Sequence, residues 1–189
     1  MDKKIFGADY DGLSVVLEKE REEGKKIVMC SGTFDLFHIG HMRMLAAAKT
    51  KGDILIVAVK SDRAAALKKE DPPVMNQDYR METIANCISA DYVTLVDYDP
   101  YRPVPYHFEN TSQYEWLNMF IPCLDKLRPD IFVHENNLLI VDARRQLFYQ
   151  YNVQGIIQDR TEGISTTDII DKIKTRLLIK MRKDSNHRI

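Results

Sequence analysis

The chain has 189 residues, of which 44% are hydrophobic and 29% are charged, which is typical of one ordinary globular domain. Its net charge of −1 gives it no basic footprint for nucleic acid. The longest clean apolar run, residues 54–59, is too short to span a membrane, and the N-terminus shows no signal-peptide core. Three widely spaced cysteines form no metal-ligand pattern. We therefore expect a cytoplasmic protein with reduced thiols.

Short β-rich runs alternate with helical patterns along the chain. After a helix at 11–24, five strands are predicted, at 26–31, 54–59, 92–96, 131–133 and 155–158. Helical patterns begin near residues 40, 112 and 140, and two more cover 77–89 and about 166–181. The helix that begins at 112 is predicted to be interrupted at Pro122. This alternation predicts an α/β, Rossmann-like single domain with a five-stranded parallel sheet and helices on both faces. We divide the chain into an N-terminal helical extension (1–25), a main domain (26–182) and a polar tail (183–189).

The carboxyl ends of the predicted strands are where ligands bind in such sheets, at the point where the strand order reverses. One segment at this edge, residues 97–112, departs from the rhythm because it holds three prolines and three tyrosines. Prolines stiffen a loop and lower the cost of ordering it around a ligand. Tyr101 and Arg102 are therefore predicted to contact a substrate, with a surface or dimer-contact loop as the alternative.

Ten residues directly after the first core strand carry the strongest chemical signal, the string GTFDLFHIGH from Gly32 to His41. His38 and His41 lie three residues apart at a predicted helix N-terminus and face the same small volume. Free N–H groups, the helix dipole and imidazole donors together suit a phosphate whose oxygens gain charge. Two histidines that only satisfy local carbonyls are the alternative, but the whole string at a strand-to-helix turn favours a phosphate site.

A second run, RTEGISTT from Arg160 to Thr167, opens the last predicted helix. Arg160 offers a fixed fork of donors to a phosphate. The hydroxyls of Ser165 and Thr166 lie at a helix N-terminus, where they can hold another phosphate oxygen. Ser165 is also a plain helix cap with Asp168 three residues on, and the two roles are compatible.

These two runs resemble the cytidylyltransferase-like nucleotidyltransferase superfamily, which carries an HxGH signature after its first strand. The RTEGISTT run is similar to that of the glycerol-3-phosphate, choline-phosphate and ethanolamine-phosphate cytidylyltransferases. The resemblance covers about residues 26–96 and 128–175 and fails for 97–127. It implies that His38 and His41 stabilise the transferring α-phosphate, with Arg160 as a third catalytic residue.

The resemblance also implies two sets of binding residues. The nucleotide-binding set is Gly32, Thr33, Phe34, Asp35, Gly40, Asp62, His134, Glu135, Arg160, Thr161, Ile164, Ser165 and Thr166. The acceptor phosphate is expected to contact Lys68, Lys69 and Arg80, although a solvated loop is the alternative for the two lysines. The resemblance further implies a homodimer.

One turn departs from the family pattern, since residues 134–137 read HENN where the relatives carry a Gly-Asp-Asp-like turn near the base. The helix at 11–24 resembles the start of heptose-phosphate adenylyltransferases, which use ATP. We give more weight to the RTEGISTT run. It predicts a cytidylyltransferase that joins CTP to a small phosphorylated or phosphonate acceptor, giving a CDP-linked product and pyrophosphate.

Two other functions remain open at this point: an adenylyltransferase acting on a sugar phosphate of heptose-phosphate type, and a non-catalytic nucleotide-binding module. For the enzyme, the sequence shows no metal-ligand cluster, so we expect Mg²⁺ to be carried with the nucleotide.

Overall fold

The computed structural model describes residues 4–67, 72–99, 115–135 and 141–186. The strands are β1 (Ile5–Phe6), β2 (Ile27–Gly32), β3 (Ile54–Lys60), β4 (Tyr92–Val96), β5 (Ile131–Glu135) and β6 (Gln154–Gln158). The helices are α1 (Asp11–Glu22), α2 (Ile39–Lys49), α3 (Asp62–Ala66), α4 (Gln77–Ala85), α5 (Ile121–Leu127), α6 (Val141–Gln150) and α7 (Thr166–Asn186). A 3₁₀ helix at Glu115–Phe120 precedes α5. No helix in these described ranges is long and apolar enough to cross a bilayer.

The sheet is wholly parallel, with the strand order β1-β4-β3-β2-β5-β6. It contains the five predicted strands and a sixth, β1, so the prediction of five strands is wrong by one. In β1, Ile5 pairs with Val93 and Phe6 with Thr94. Two residues are too few to show a strand's alternating pattern, and their pairing depends on backbone hydrogen bonds to a distant part of the chain.

Apolar side chains of the central strands point alternately to the two faces of the sheet. Met29 and Ile56 belong to a cluster that includes residues of α1, α5 and α6. Val28 and Leu55 belong to a second cluster, which includes residues of α2 and α4. Helices therefore cover both faces, as the unbroken apolar run of β3 predicts for a buried parallel strand.

The N-terminal helix packs into this core. Leu13 and Leu17 of α1 are completely buried in the same cluster as Met29. The segment predicted as a helical extension therefore contributes both a buried helix and an edge strand to the fold.

Helix ends differ from the sequence predictions in three places. Helix α4 ends at Ala85 rather than near residue 89, and α7 continues to Asn186, into the predicted polar tail. The predicted interruption at Pro122 is instead the first turn of α5. Proline is tolerated there because the first N–H groups of a helix have no intrahelical partner.

The strand order reverses at β2, which lies between β3 and β5. The chain reaches β3 through α2, whereas it reaches β5 only after crossing from β4. Such a reversal opens a crevice at the carboxyl edge of a parallel sheet. The GTFDLFHIGH string begins at this edge, at the last residue of β2.

Candidate active site

The turn after β2 has a constrained backbone. Phe34 and Leu36 have positive φ angles of 56° and 43°, a region that residues with side chains rarely adopt. The Phe34 ring is buried beneath Gly32, where a Cβ atom would lie only 3.0–3.2 Å from three ring carbons. A side chain at position 32 would therefore push the Phe34 ring aside by a few tenths of an ångström, so glycine suits this close approach.

His38 and His41 are held together at the start of α2. His38 is the N-cap, and its Nδ1 accepts the Gly40 N–H at 3.1 Å. The His41 Nδ1 accepts the His38 N–H at 3.3 Å. The two rings stack with their centroids 3.8 Å apart, and Phe37 stacks against the other side of His41 at 5.4 Å.

These hydrogen bonds fix the tautomer of both imidazoles. Because each Nδ1 accepts a backbone N–H, each neutral ring carries its proton on Nε2. Burial lowers the pKa of His38, and burial followed by repulsion from His38 lowers the pKa of His41 to about 4. Both rings are therefore neutral Nε2–H donors near pH 7.

The N-terminus of α7 meets the same turn. The Thr166 hydroxyl donates to the Asp35 carbonyl at 2.9 Å, and Asp168 lies near enough to His38 to oppose the fall in its pKa. Ile164 is 3.4 Å from the position of a Cβ on Gly40. Two helix N-termini, those of α2 and α7, therefore converge beside the histidines. Their combined dipoles favour an anion at this position.

Ser165 caps α7. Its Oγ accepts the Asp168 N–H at 3.1 Å and donates to an Asp168 carboxylate oxygen at 2.7 Å. The prediction that Ser165 caps this helix is thus confirmed. Thr161 and Ile164 are half-buried in the loop that leads to this cap.

Asp35, predicted to bind nucleotide, has a carboxylate that is already occupied by backbone groups. It accepts the N–H groups of Val74 and Met75, each at 2.9 Å, and that of Leu36 at 3.1 Å. The side chain is buried. It ties the turn after β2 to residues 74–75, and its charge partly opposes the fall in the pKa of His41.

Arg80, predicted to contact the acceptor phosphate, has no exposed side-chain surface. Its guanidinium donates to the Thr33 carbonyl at 2.5 Å, the Met75 carbonyl at 2.9 Å and an Asp62 carboxylate oxygen at 2.6 Å. Asp62 also accepts the Gln77 N–H at 3.2 Å. The side chains of Asp35 and Arg80 were both predicted to bind ligands, and in this structure both connect segments of the protein to each other.

The end of β5 supplies a second group of polar residues. An Arg160 nitrogen lies 2.5 Å from a Glu135 carboxylate oxygen, so these two predicted nucleotide-binding residues form an exposed ion pair. An Arg144 nitrogen lies 3.2 Å from the His134 Nδ1, and Arg144 donates to the Glu135 carbonyl at 3.0 Å. The same His134 Nδ1 lies 3.0 Å from the Glu135 carbonyl. Burial is the main cause of the lowered pKa of His134. The His134 ring also packs near Phe148.

Several predicted residues lie outside the described part of the chain: Lys68, Lys69, Tyr101, Arg102, and the Asn136 and Asn137 of the HENN turn. The structure also brings in residues that the sequence analysis did not assign to the site. Phe37 stacks on His41, Asp168 lies near His38, and Arg144 holds the end of β5. The one sequence signal for the first of these was the position of Phe37 inside the GTFDLFHIGH string.

Within the described ranges, no three His, Cys, Asp or Glu side chains are grouped so that they could hold a metal ion. The donors at the site are N–H groups, hydroxyls and neutral imidazoles. This set suits phosphate oxygens.

Comparison with protein families matches the cytidylyltransferase-like model to residues 29–172 of this chain. Among curated proteins, the bifunctional protein HldE of Pelobacter propionicus is 37% identical over 93% of this chain, and that of Geobacter metallireducens is 31% identical over 91%. The chain spans only about a third of the length of these relatives, 32% and 31% respectively.

Two solved structures share the fold. A lipopolysaccharide core biosynthesis protein from Thermoplasma volcanium gives a TM-score of 0.53 at 20% identity, covering 73% of this chain and 98% of that one. A pantoate-beta-alanine ligase from Francisella tularensis, in complex with beta-gamma ATP and beta-alanine, gives 0.54 at 16% identity, covering 82% and 73%. At these identities the likeness concerns the fold alone.

Proposed function

Because the chain belongs to the cytidylyltransferase-like family and is a nucleotidyltransferase, we propose that it transfers the adenylyl group of ATP to a small sugar phosphate. The observation that carries this proposal is the stacked pair His38 and His41, neutral and fixed as Nε2–H donors between two helix N-termini. Preorganised donors of this kind stabilise charge that develops on a transferring phosphoryl group.

The reaction needs no covalent intermediate with the protein. A phosphate oxygen of the acceptor attacks the α-phosphorus of the nucleotide, and the bond from that phosphorus to the bridging oxygen breaks. Pyrophosphate leaves with the electron pair, and a new phosphoanhydride joins acceptor and nucleoside. A phosphate monoester is largely dianionic near pH 7, since its second pKa is about 6, so no base has to remove a proton from it.

Each group at the site has a role in this scheme. The Nε2–H groups of His38 and His41 donate to the non-bridging oxygens of the α-phosphate as their charge grows. Arg160 and the N-terminus of α7 hold the β- and γ-phosphates. When bound with the triphosphate, Mg²⁺ supplies further charge neutralisation.

The choice of ATP and a sugar phosphate rests on the relatives. Similarity to the bifunctional HldE proteins covers about nine-tenths of this chain and favours the adenylyltransferase alternative over transfer from CTP. Helix α1, whose sequence resembles the start of heptose-phosphate adenylyltransferases, favours the same alternative. We therefore revise the preference for CTP that the RTEGISTT run suggested.

CTP is the second candidate nucleotide because the run from Arg160 to Thr167 is similar to that of the cytidylyltransferases. On the acceptor side, Lys68, Lys69, Tyr101 and Arg102 stay predictions. A homodimer likewise stays an expectation from family resemblance.

Calorimetric titration with ATP and with CTP, each with Mg²⁺, tests the nucleotide assignment. A few buried polar contacts to a base discriminate by roughly 2–4 kcal/mol. We therefore expect ATP to bind at least about tenfold more tightly. Tighter binding of CTP would return the assignment to a cytidylyltransferase without affecting the family.

A further inference from the structure

We propose that Arg80 is a positioning residue, which holds the turn after β2 in the shape that presents His41, and that it does not grip the acceptor phosphate. The inference rests on the proposed function in that it assigns His41 to the reaction. The structural evidence for it is three hydrogen bonds that the Arg80 guanidinium donates, to the Thr33 carbonyl, the Met75 carbonyl and the Asp62 carboxylate.

The side chain of Arg80 is buried away from solvent. A guanidinium cannot lose its charge in a protein, so taking it out of water is costly unless its N–H groups are satisfied. Here one carboxylate and two carbonyls satisfy them, and the side chain is 0% exposed. An acceptor phosphate could reach this group only by displacing partners that belong to the protein.

The path from Arg80 to His41 is short. Arg80 fixes the carbonyl of Thr33, and therefore the peptide plane that leads into the left-handed residue Phe34, with φ of 56°. The Phe34 ring in turn contacts His41 edge-on, with centroids 5.4 Å apart and planes at 69°. A left-handed phenylalanine is costly, and it persists only where surrounding bonds enforce it. Arg80 supplies one of those bonds.

Hydrogen bonds to Met75 link the same turn to a second segment of the chain. Arg80 donates to the Met75 carbonyl, while the Met75 N–H donates to the carboxylate of Asp35 in the same turn as Thr33. The turn and residues 74–75 are therefore linked by a cationic side chain from one side and an anionic side chain from the other. Loss of the hydrogen bonds of either Arg80 or Asp35 would free the backbone beneath the His41 ring.

The Arg80→Lys substitution tests this role, because lysine keeps the charge near Asp62 but cannot reach two carbonyls as well. The readout is the pKa of His41, followed by NMR of its ring proton and assigned by the resonance that His41→Ala lacks. In the wild type the His41 pKa is lowered to about 4, and the charged or titratable groups that act on it are His38, Glu135 and Asp35. If the turn loosens, water reaches the ring and its pKa moves up toward 6.5.

We expect Arg80→Lys to raise the His41 pKa by about one unit and to lower kcat about tenfold or more, with less than a threefold change in acceptor KM. Ile84→Val is the matched control, because Ile84 is fully buried on the same helix and its aliphatic side chain makes no hydrogen bond to the turn. It should lower the Tm and leave the His41 pKa unchanged. Asp62→Asn provides a second variant, expected to shift the His41 pKa in the same direction by less.

Two results would overturn the proposal. If Arg80→Lys and Asp62→Asn lower the Tm as Ile84→Val does, with the His41 pKa unchanged, Arg80 has only a structural role. If acceptor KM rises about tenfold or more while kcat and the His41 pKa are unchanged, Arg80 grips the acceptor. The NMR titration needs no substrate, so it tests the positioning role of Arg80 even if the wild-type chain shows no nucleotidyl transfer. That lack of transfer would refute the proposed function alone.

Discussion

The imidazole rings of His38 and His41 lie with their centroids 3.8 Å apart and their planes 23° apart. At this separation two imidazolium ions would repel strongly, so the pair carries at most one positive charge near neutral pH. The arrangement thus provides two neutral Nε2–H donors, and protonating either ring would place a proton on the Nδ1 that accepts a backbone N–H.

His41→Ala should reduce turnover by on the order of 10²–10³-fold, typical of removing one preorganised donor to a developing charge. Nucleotide affinity should fall much less, because the N–H groups of two helices still hold the phosphates. Steady-state kinetics and calorimetry measure the two effects. Met42→Ala is the control, since Met42 follows on α2 and is 52% exposed. Equal losses in the two variants would argue against a role for His41 in the reaction.

Stability should depend on pH through His41. Its pKa is about 4 in the folded chain and 6.5 ordinarily, so between these values the unfolded chain binds a proton that the folded chain does not. The contribution of His41 to the free energy of unfolding is therefore complete above pH 6.5 and is lost as the pH falls toward 4. After allowance for the part of the ring that solvent reaches, we expect about 1 kcal/mol between pH 7 and 5.

Urea unfolding at these two pH values, on the wild type and on His41→Gln, isolates this contribution. The variant should show a difference between pH 7 and pH 5 that is smaller by that amount. An identical pH dependence in both proteins would mean that His41 is not buried as a neutral ring.

Arg160 and Glu135 allow a test of how the nucleotide enters. Their side chains are 75% and 49% exposed, so their ion pair should contribute about 0–1 kcal/mol to stability. Arg160→Ala should leave the Tm nearly unchanged and weaken ATP binding about tenfold, as expected for losing a charged hydrogen bond. Arg145→Ala is the matched control, because Arg145 is 76% exposed and pairs with Asp142 on α6.

Glu135→Gln separates two roles of that carboxylate. If Glu135 competes with phosphate for Arg160, its loss should tighten ATP binding by about two- to fivefold, in line with the small energy of an exposed pair. If Glu135 reads the base, as its position in the HENN turn allows, ATP binding weakens and the difference between ATP and CTP shrinks.

The hydroxyl of Thr166 should matter more than that of its neighbour. Thr166→Val keeps the shape of the side chain and removes the hydrogen bond to the Asp35 carbonyl, which should cost about 1 kcal/mol of unfolding free energy. Thr167→Val serves as the control, because Thr167 is exposed at the same helix end. Equal denaturation midpoints for the two variants would show that the link between α7 and the turn does not stabilise the fold.

The sequence predicted the central strands and the position of the histidines because both follow from local patterns. The apolar run of β3 has the length of a buried strand, and the string from Gly32 to His41 follows β2 directly. The rule that ligands bind where strand order reverses then placed this string at the candidate site. Strand β1 was missed because two residues carry no periodic signal.

The roles of Asp35 and Arg80 could not be predicted in the same way. Their side chains look like ligands in the sequence, yet the carboxylate of Asp35 accepts N–H groups about forty positions away, at Val74 and Met75. Arg80 reaches the carbonyl of Thr33, 47 positions earlier. Which backbone groups need a partner depends on how the segments pack, and no spacing rule contains that information.

The most direct test of adenylyl transfer is ³¹P NMR of the chain with Mg²⁺, hexose or heptose phosphates, and either ATP or CTP. With ATP and a sugar phosphate we expect pyrophosphate and a new pair of coupled diphosphate signals. Both should disappear in the double variant His38→Ala, His41→Ala. The same products from CTP and none from ATP would contradict the adenylyltransferase assignment. No product from either nucleotide with any acceptor, while the nucleotide still binds, would contradict nucleotidyl transfer itself.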